Sequence, residues 1–125
     1  MDEFKINTND KGRGLYTTQE YNPGDTVLVL LGNMFQKATR TSIQLGEQHI
    51  ESWEGAHVNH HCDPNTNVIH GQLIHDHVAR PFLQATKYIA KGEEVTFDYE
   101  SNEKKLASPF YCKCCNRLIK GYEGY

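Results

Sequence analysis

The chain has 125 residues, enough for one hydrophobic core without staples and too few for two independent ones. Its formal net charge of -3 argues against general nucleic-acid binding through clustered Lys and Arg, and leaves a mildly acidic surface suited to a basic peptide. The longest apolar run, residues 27–31, falls far short of a membrane span, and the start Met1-Asp2-Glu3 carries neither the basic nor the apolar region of a secretory signal, so an intracellular protein is expected.

Phe4-Lys5-Ile6 alternates like a short strand, and residues 7–12 collect turn formers ahead of Gly12-Arg13-Gly14. That lone G-x-G is no dinucleotide fingerprint, since no third glycine and no helix pattern follow it. Leu15 to Thr18 returns to β-prone residues. Asn22-Pro23-Gly24-Asp25 is a strong turn, and residues 26–31 read as a buried strand closed by Gly32-Asn33. Residues 40–45 alternate, residues 46–48 turn, and residues 49–51 resume an extended run. Trp53, the single tryptophan, is expected in the core.

Helical turns fit only around residues 56–59 and 100–107, and neither window sustains a 3.6-residue period. Residues 68–74, 78–83 and 85–89 are strand-like, and residues 101–105 form a charged, polar link. The pattern predicts a mostly β domain without internal repeats. From Phe110 onward aromatics, cysteines and glycines dominate, which sets a tail apart from what precedes it.

Asn59-His60-His61-Cys62-Asp63-Pro64-Asn65 is too crowded with polar side chains and turn formers to be ordinary core. Cys112, Cys114 and Cys115 lie too close together for easy local disulfides and read as thiols or metal ligands. With Cys62 or a histidine they could close a tetrahedral zinc site; equally, they could be reduced thiols in a tail packed on the domain. His75 and His77 share one face of a strand, more simply a solvated face than a metal pair. A nucleophilic Cys62 served by His60 or His61 is disfavoured, because such near neighbours rarely aim at each other and no orienting acid is evident. Glu93 and Glu94, adjacent on an extended segment, point to opposite faces.

Four segments in order, Gly12-Arg13-Gly14-Leu15-Tyr16, residues 59–65, Gly92-Glu93-Glu94-Val95-Thr96-Phe97-Asp98-Tyr99 and Phe110-Tyr111-Cys112-Lys113-Cys114, resemble the signatures of the SET-domain protein-lysine methyltransferases. The resemblance spans nearly the whole chain. It implies a β-clip-like fold of small sheets, a SET domain over residues 1–107 and a post-SET-like tail over 108–125, with the 59–65 segment threaded through a C-terminal loop as a pseudoknot. It further implies S-adenosylmethionine as methyl donor, held by Arg13, Gly14, Leu15, Asn59 and His60 with Phe110 folded over the adenine. Tyr99 would be the active-site tyrosine, and Phe97 would leave room for more than one methyl group.

His60 is expected to orient backbone rather than act as a base. Cys62, Cys112 and Cys114 match three zinc ligands of the family, but Ile119 stands where the fourth would be, and Leu30 stands where many members carry a channel tyrosine. The implied partner is a protein or basic peptide, a histone among the candidates. Homodimerisation is a further option, given the short insert between Gly32 and Trp53.

Overall fold

The computed structural model describes residues 4–9, 12–70, 73–74, 77–78, 80–112 and 116–122. In chain order it comprises β1 (Phe4–Asn9), β2 (Gly12–Thr17), β3 (Thr26–Val29), β4 (Gly32–Phe35), β5 (Ile43–Leu45), β6 (Gln48–Ser52), a 3₁₀ turn at Gly55–His57, β7 (Asn59–His60) and β8 (Thr66–Ile69). There follow β9 (Leu73–Ile74), β10 (His77–Val78), β11 (Phe82–Ala85), β12 (Thr96–Phe97), α1 (Tyr99–Asn102), β13 (Phe110–Tyr111) and β14 (Leu118–Ile119). The protein is mostly β, in small sheets, as the sequence predicts.

Short strands separated by turn formers cannot build one large sheet, so they pair locally. β1 and β2 form a hairpin with Ile6 opposite Leu15, and β11 lies between β3 and β8. β6 lies between β4 and β5, the turn after β5 being made by Gly46 at φ 63°. The expected strand over 26–31 instead breaks in two, and Gly32 opens β4 rather than closing β3. The reason is steric: a Cβ at Gly32 would overlap the carbonyl of Glu51, so glycine lets the two backbones meet there. Residues 68–74 likewise divide between β8 and β9.

Both helical windows hold a turn, each starting one residue early. The second becomes α1, capped by the Asp98 carboxylate, which accepts from the Glu100 amide at 2.9 Å. Leu15, Val27, Leu30, Ile43, Ile50, Val58, Leu83, Ile89, Val95 and Phe97 form one core. Trp53 is not in it: Ser52 takes the inward position at the end of β6, and the next side chain is left 68% exposed, its ring 5.1 Å from that of His57. Glu103, read as part of a solvated link, is buried at 2% exposure.

What positions the site is the parallel pairing of β7 with β12, Asn59 opposite Thr96 and His60 opposite Phe97. Asn65 clasps the same strand with its side chain, Nδ2 donating to the Glu94 carbonyl at 2.8 Å and Oδ1 accepting from the Thr96 amide at 2.9 Å, as a peptide group would. Thr66 adds a bond from Oγ1 to the Thr96 carbonyl at 2.7 Å. Thr17 knits β2 to the Gly92 turn: its Oγ1 donates to the Ala90 carbonyl at 2.7 Å and accepts from the Gly92 and Glu93 amides at 3.1 and 3.2 Å. No helix among the described residues is long and apolar enough to cross a membrane.

Candidate active site

A cleft of about 790 Å³ opens where β2, β7, β12, α1 and the tail converge. Its walls include Arg13, Asn59, His60, Phe97, Tyr99 and Phe110, six of the residues singled out from the sequence, together with Arg40, His57, Val58 and Glu103, which were not. Gly14 and Leu15 lie behind it: both are buried in β2, and the Leu15 carbonyl accepts from the Val95 amide at 2.8 Å.

Tyr99 is held at both ends. Its hydroxyl donates to the Val58 carbonyl, and its amide donates to Nδ1 of His60 at 3.0 Å. Its ring packs 4.8 Å from that of Phe97 and edge-on to His60 and Phe110 at 5.4 and 5.9 Å. Burial, reinforced by the negative charges of Glu103 and Glu94, raises the phenol above its ordinary pKa, so it remains a donor throughout the neutral range. Asn59 Nδ2 donates to the Arg13 carbonyl at 2.9 Å and to Glu94 Oε2 at 2.7 Å, which leaves Oδ1 as the acceptor it offers a ligand.

The bond from the Tyr99 amide fixes the chemistry of His60. Nδ1 must accept, so the neutral ring carries its proton on Nε2, and Asp98 Oδ1 at 3.5 Å from Nδ1 is too distant to compete. Nε2 lies 3.6 Å from Cys62 Sγ. Residues two apart on an extended segment share a face, so His60 and Cys62 do meet, contrary to the sequence expectation. The tautomer is wrong for a base, however, because the nitrogen facing the thiol is already protonated. Nδ1 of His60 thus holds the Tyr99 amide, and the face of the ring toward Cys62 offers no free base nitrogen.

Cys62 and Cys112 approach to 3.6 Å between sulfurs, and with His60 Nε2 their ligand atoms all lie within 4.8 Å of one another. Two thiolates on one tetrahedral zinc stand about 3.7 Å apart, so this spacing fits a metal-bridged pair. The tautomer argues against His60 as a ligand. Cys114 and Cys115 lie outside the described residues, as do His75 and Asp76, and nothing is described of the His77 side chain. Ile119, at the missing cysteine position, is fully buried.

The tail is fastened by other means as well. The Leu106 amide donates to the Lys120 carbonyl at 3.0 Å, the Lys120 amide to Glu100 Oε2 at 3.2 Å, and Arg117 Nε pairs with Glu100 Oε1 at 3.3 Å. Gly121, at φ 100°, lies against the Lys104 backbone, where no side chain would fit. Sequence reasoning missed Glu103, Gln44 and Arg40 because nothing in their local pattern marks burial or proximity to the cleft; only the three-dimensional meeting of β5 with α1 does so.

The model of the SET domain matches residues 12–100. A putative histone-lysine N-methyltransferase of Arabidopsis thaliana, ASHH4, is 35% identical over 65 residues, 50% of this chain and 18% of that protein. A histone-lysine N-methyltransferase of Yarrowia lipolytica, H3 lysine-36 specific, is 29% identical over 142 residues, 95% of this chain and 18% of that one. This chain thus spans under a fifth of either relative. Among solved structures, KRYPTONITE in complex with mCHH DNA, an H3(1–15) peptide and SAH superposes with a TM-score of 0.70 at 20% identity, over 93% of this chain and 29% of that chain. With the family model covering most of its length, and with β7 and β12 carrying the motif residues into one cleft, the chain belongs to the SET domain family.

Proposed function

We propose that this protein transfers a methyl group from S-adenosylmethionine to the side-chain amine of a lysine in a protein substrate. The observation that carries the reading is the Tyr99 hydroxyl, fixed on the Val58 carbonyl inside a cleft walled by Phe97, His60 and Phe110. The cleft's volume suits a cofactor of this size, and its mixture of acceptors and aromatic edges suits a ligand with an amino group and a flat base. When bound, S-adenosylmethionine supplies an electrophilic methyl on a positively charged sulfur. Asn59 Oδ1 and the Arg13 carbonyl would accept from its ammonium, and the rings of His60 and Phe110, with centroids 5.9 Å apart, would offer the base its aromatic contacts.

The chain's own residues then have to desolvate and align an amine. Phe97, 3% exposed, supplies an apolar wall that disfavours the lysine cation, and the Arg40 charge lining the cleft acts in the same direction. Tyr99, protonated and immobilised at hydroxyl and amide, orients the acceptor amine without taking its proton. Alignment of this kind supplies much of the rate in an in-line displacement. Residues 1–107 form the catalytic domain in this reading and residues 108–125 a tail that closes the cleft through Phe110.

Zinc fits the tail in part. The 3.6 Å approach of Cys62 and Cys112 supports zinc shared between them, Cys114 being the third thiolate of this reading, and metal analysis of wild type against Cys62→Ser tests it; equal zinc in both removes it. The histone substrates named for relatives make histone H3 peptides the first to try. The deciding experiment is calorimetric titration with S-adenosylmethionine, then mass-spectrometric methyl incorporation into basic peptides by wild type and Tyr99→Phe. Binding with incorporation that Tyr99→Phe abolishes supports the reading; absence of both overturns it.

A further inference from the structure

Glu103, four residues beyond Tyr99, sits where three parts of the chain meet. Its amide donates to the Tyr99 carbonyl at 2.8 Å and closes α1. Its Oε2 accepts from the Gln44 amide at 2.8 Å and from Asn102 Nδ2 at 2.6 Å. Gln44, 4% exposed in β5, answers twice: its carbonyl accepts from Asn102 Nδ2 at 3.1 Å, and its side-chain Oε1 accepts from the Lys104 amide at 2.7 Å. On the other side, the Glu103 carbonyl accepts from the Tyr122 amide of the tail at 2.9 Å.

Burying a carboxylate in a residue only 2% exposed, with no ion-pair partner among the described residues, is expensive, and a surface link between Tyr99 and the tail would not require it. What the carboxylate gives is a strong acceptor for a main-chain amide that would otherwise be orphaned inside the protein. That amide belongs to Gln44, at the edge of the β4-β6-β5 sheet, within the insert between the two halves of the motif set.

We propose that Glu103 and Gln44 form a clamp that positions Tyr99, so that the insert sheet and the tail both set the attitude of the catalytic ring through one buried junction. Tyr99 is then fixed at three points: its amide by His60, its hydroxyl by Val58, and its carbonyl by the amide of Glu103. Loss of the clamp frees the third point while leaving the cofactor contacts at Arg13, Asn59 and Phe110 untouched. Glu103 acts through Tyr99, as a positioning residue.

This inference rests on the methyl-transfer reading, and its test separates the two. Steady-state kinetics and cofactor calorimetry are compared for wild type, Glu103→Ala, Glu103→Gln, Gln44→Met and the Glu103→Ala/Gln44→Met double variant. Glu103→Ala and Gln44→Met each lower kcat about tenfold or more with cofactor Kd within about twofold, a pattern that marks lost alignment rather than lost binding. Glu103→Gln, which keeps an acceptor for the Gln44 amide, returns kcat to within about threefold of wild type, and the double variant is no worse than the poorer single one. Of the bonds at this junction, Gln44→Met removes only the side-chain one to the Lys104 amide, since residue 44 keeps its main-chain bonds to Glu103 and Asn102. Wild-type kcat in both Glu103→Ala and Gln44→Met, or losses that multiply in the double variant, overturn the clamp.

Should Glu103→Ala fail to fold, Gln44→Met and Glu103→Gln carry the same comparison. Hydrogen exchange reads the clamp whether or not turnover is seen. Residues 99–103 exchange at least about tenfold faster in Glu103→Ala, and in Gln44→Met through the lost Lys104 bond, while β11 stays protected; unchanged exchange at 99–103 in both overturns the proposal on its own. Wild type that binds no cofactor and methylates nothing, but loses protection at 99–103 in Gln44→Met, sinks the methyl-transfer reading and leaves the clamp standing as a structural junction.

Discussion

The Tyr99 amide donates to Nδ1 of His60 at 3.0 Å, and this bond ties the parallel β7-β12 pair to the ring that faces the cleft. His60 is 2% exposed, so removing its side chain leaves both a cavity and an unpaired amide next to Tyr99. His60→Ala is expected to lower methyl transfer about 10- to 100-fold, since a misplacement of about 1 Å is enough for that. His60→Asn, whose side-chain oxygen can accept from the same amide, recovers part of the loss. A His60→Asn no better than His60→Ala in initial-rate assays would show that the bond is not what matters.

Tyr99→Phe removes the hydroxyl that reaches the Val58 carbonyl and leaves the ring packing on Phe97 intact. The rate drops by about 100-fold or more, because the oxygen that Val58 holds in place to accept from the substrate amine is lost, while cofactor affinity measured by calorimetry holds. The pH profile separates roles further. Because burial holds the Tyr99 phenol above its ordinary pKa, the wild-type rate rises with pH as the substrate amine loses its proton and shows no falling limb from Tyr99 near its ordinary value. A descending limb abolished in Tyr99→Phe would assign ionisation, rather than orientation, to this residue.

Much of this was legible before the structure because the motif residues are those whose side chains replace backbone. Asn65 behaves as an extra peptide unit against Glu94 and Thr96, offering one donor and one acceptor on a short side chain, and Asn59 donates from Nδ2 to both Arg13 and Glu94. Such demands leave a local signature. Glu103 leaves none: its burial depends on Gln44, 59 residues away in sequence, and a charged residue among charged neighbours reads as solvated. Trp53 misled in the opposite sense. Its size argues for the core, but strand alternation from Ser52 decides its direction, and Ser52 is 1% exposed.

Phe97 bears on the number of methyl groups transferred. It is 3% exposed, in van der Waals reach of Tyr99, and contributes no hydroxyl to the apolar wall. A tyrosine there would place a second hydroxyl beside the first and hold a water where a methylated amine needs room. Phe97→Tyr should therefore shift products toward monomethyl-lysine, read by mass spectrometry of a peptide carried to completion. An unchanged product distribution would remove Phe97 from any role in product choice.

Two buried groups give folding stability opposite pH dependences. Burial raises the Glu103 carboxyl above its ordinary 4.5, so above that value the unfolded chain has released a proton that the folded chain still holds. Its contribution is complete below 4.5 and lost as pH rises through the folded pKa. His49 is the reverse: burial lowers it from 6.5, and its contribution is present above that value and lost as pH falls through the folded pKa. Its Nδ1 is buried without a hydrogen-bond partner among the described residues, which adds to its cost. Thermal melts from mildly acidic to alkaline pH should show Glu103→Gln gaining on wild type as pH rises, and His49→Leu gaining as pH falls. Parallel curves for either pair would mean that the group titrates alike folded and unfolded.

Gly32 and Gly24 separate steric need from conformational need. At Gly24, φ is 91° and the space around a Cβ is open, so Gly24→Ala carries only the strain of a left-handed alanine, about 1 kcal/mol. At Gly32 the obstacle is the Glu51 carbonyl itself, on the strand paired with β4, and backbone cannot swing aside as a side-chain tip can. Gly32→Ala must push β4 off β6, at about 3 kcal/mol or more. The damage reaches the cleft by a short route: Leu30, just before β4, packs within 3.1 Å of where a Gly55 side chain would stand, and Gly55 and Ala56 form the cleft wall leading to Val58. Denaturant midpoints should therefore fall far more for Gly32→Ala than for Gly24→Ala, and methyl transfer per folded molecule should fall only in the former. Equal midpoints would show that β4 yields to the methyl group without cost, and that the meeting of Gly32 with Glu51 does not hold the insert sheet in place.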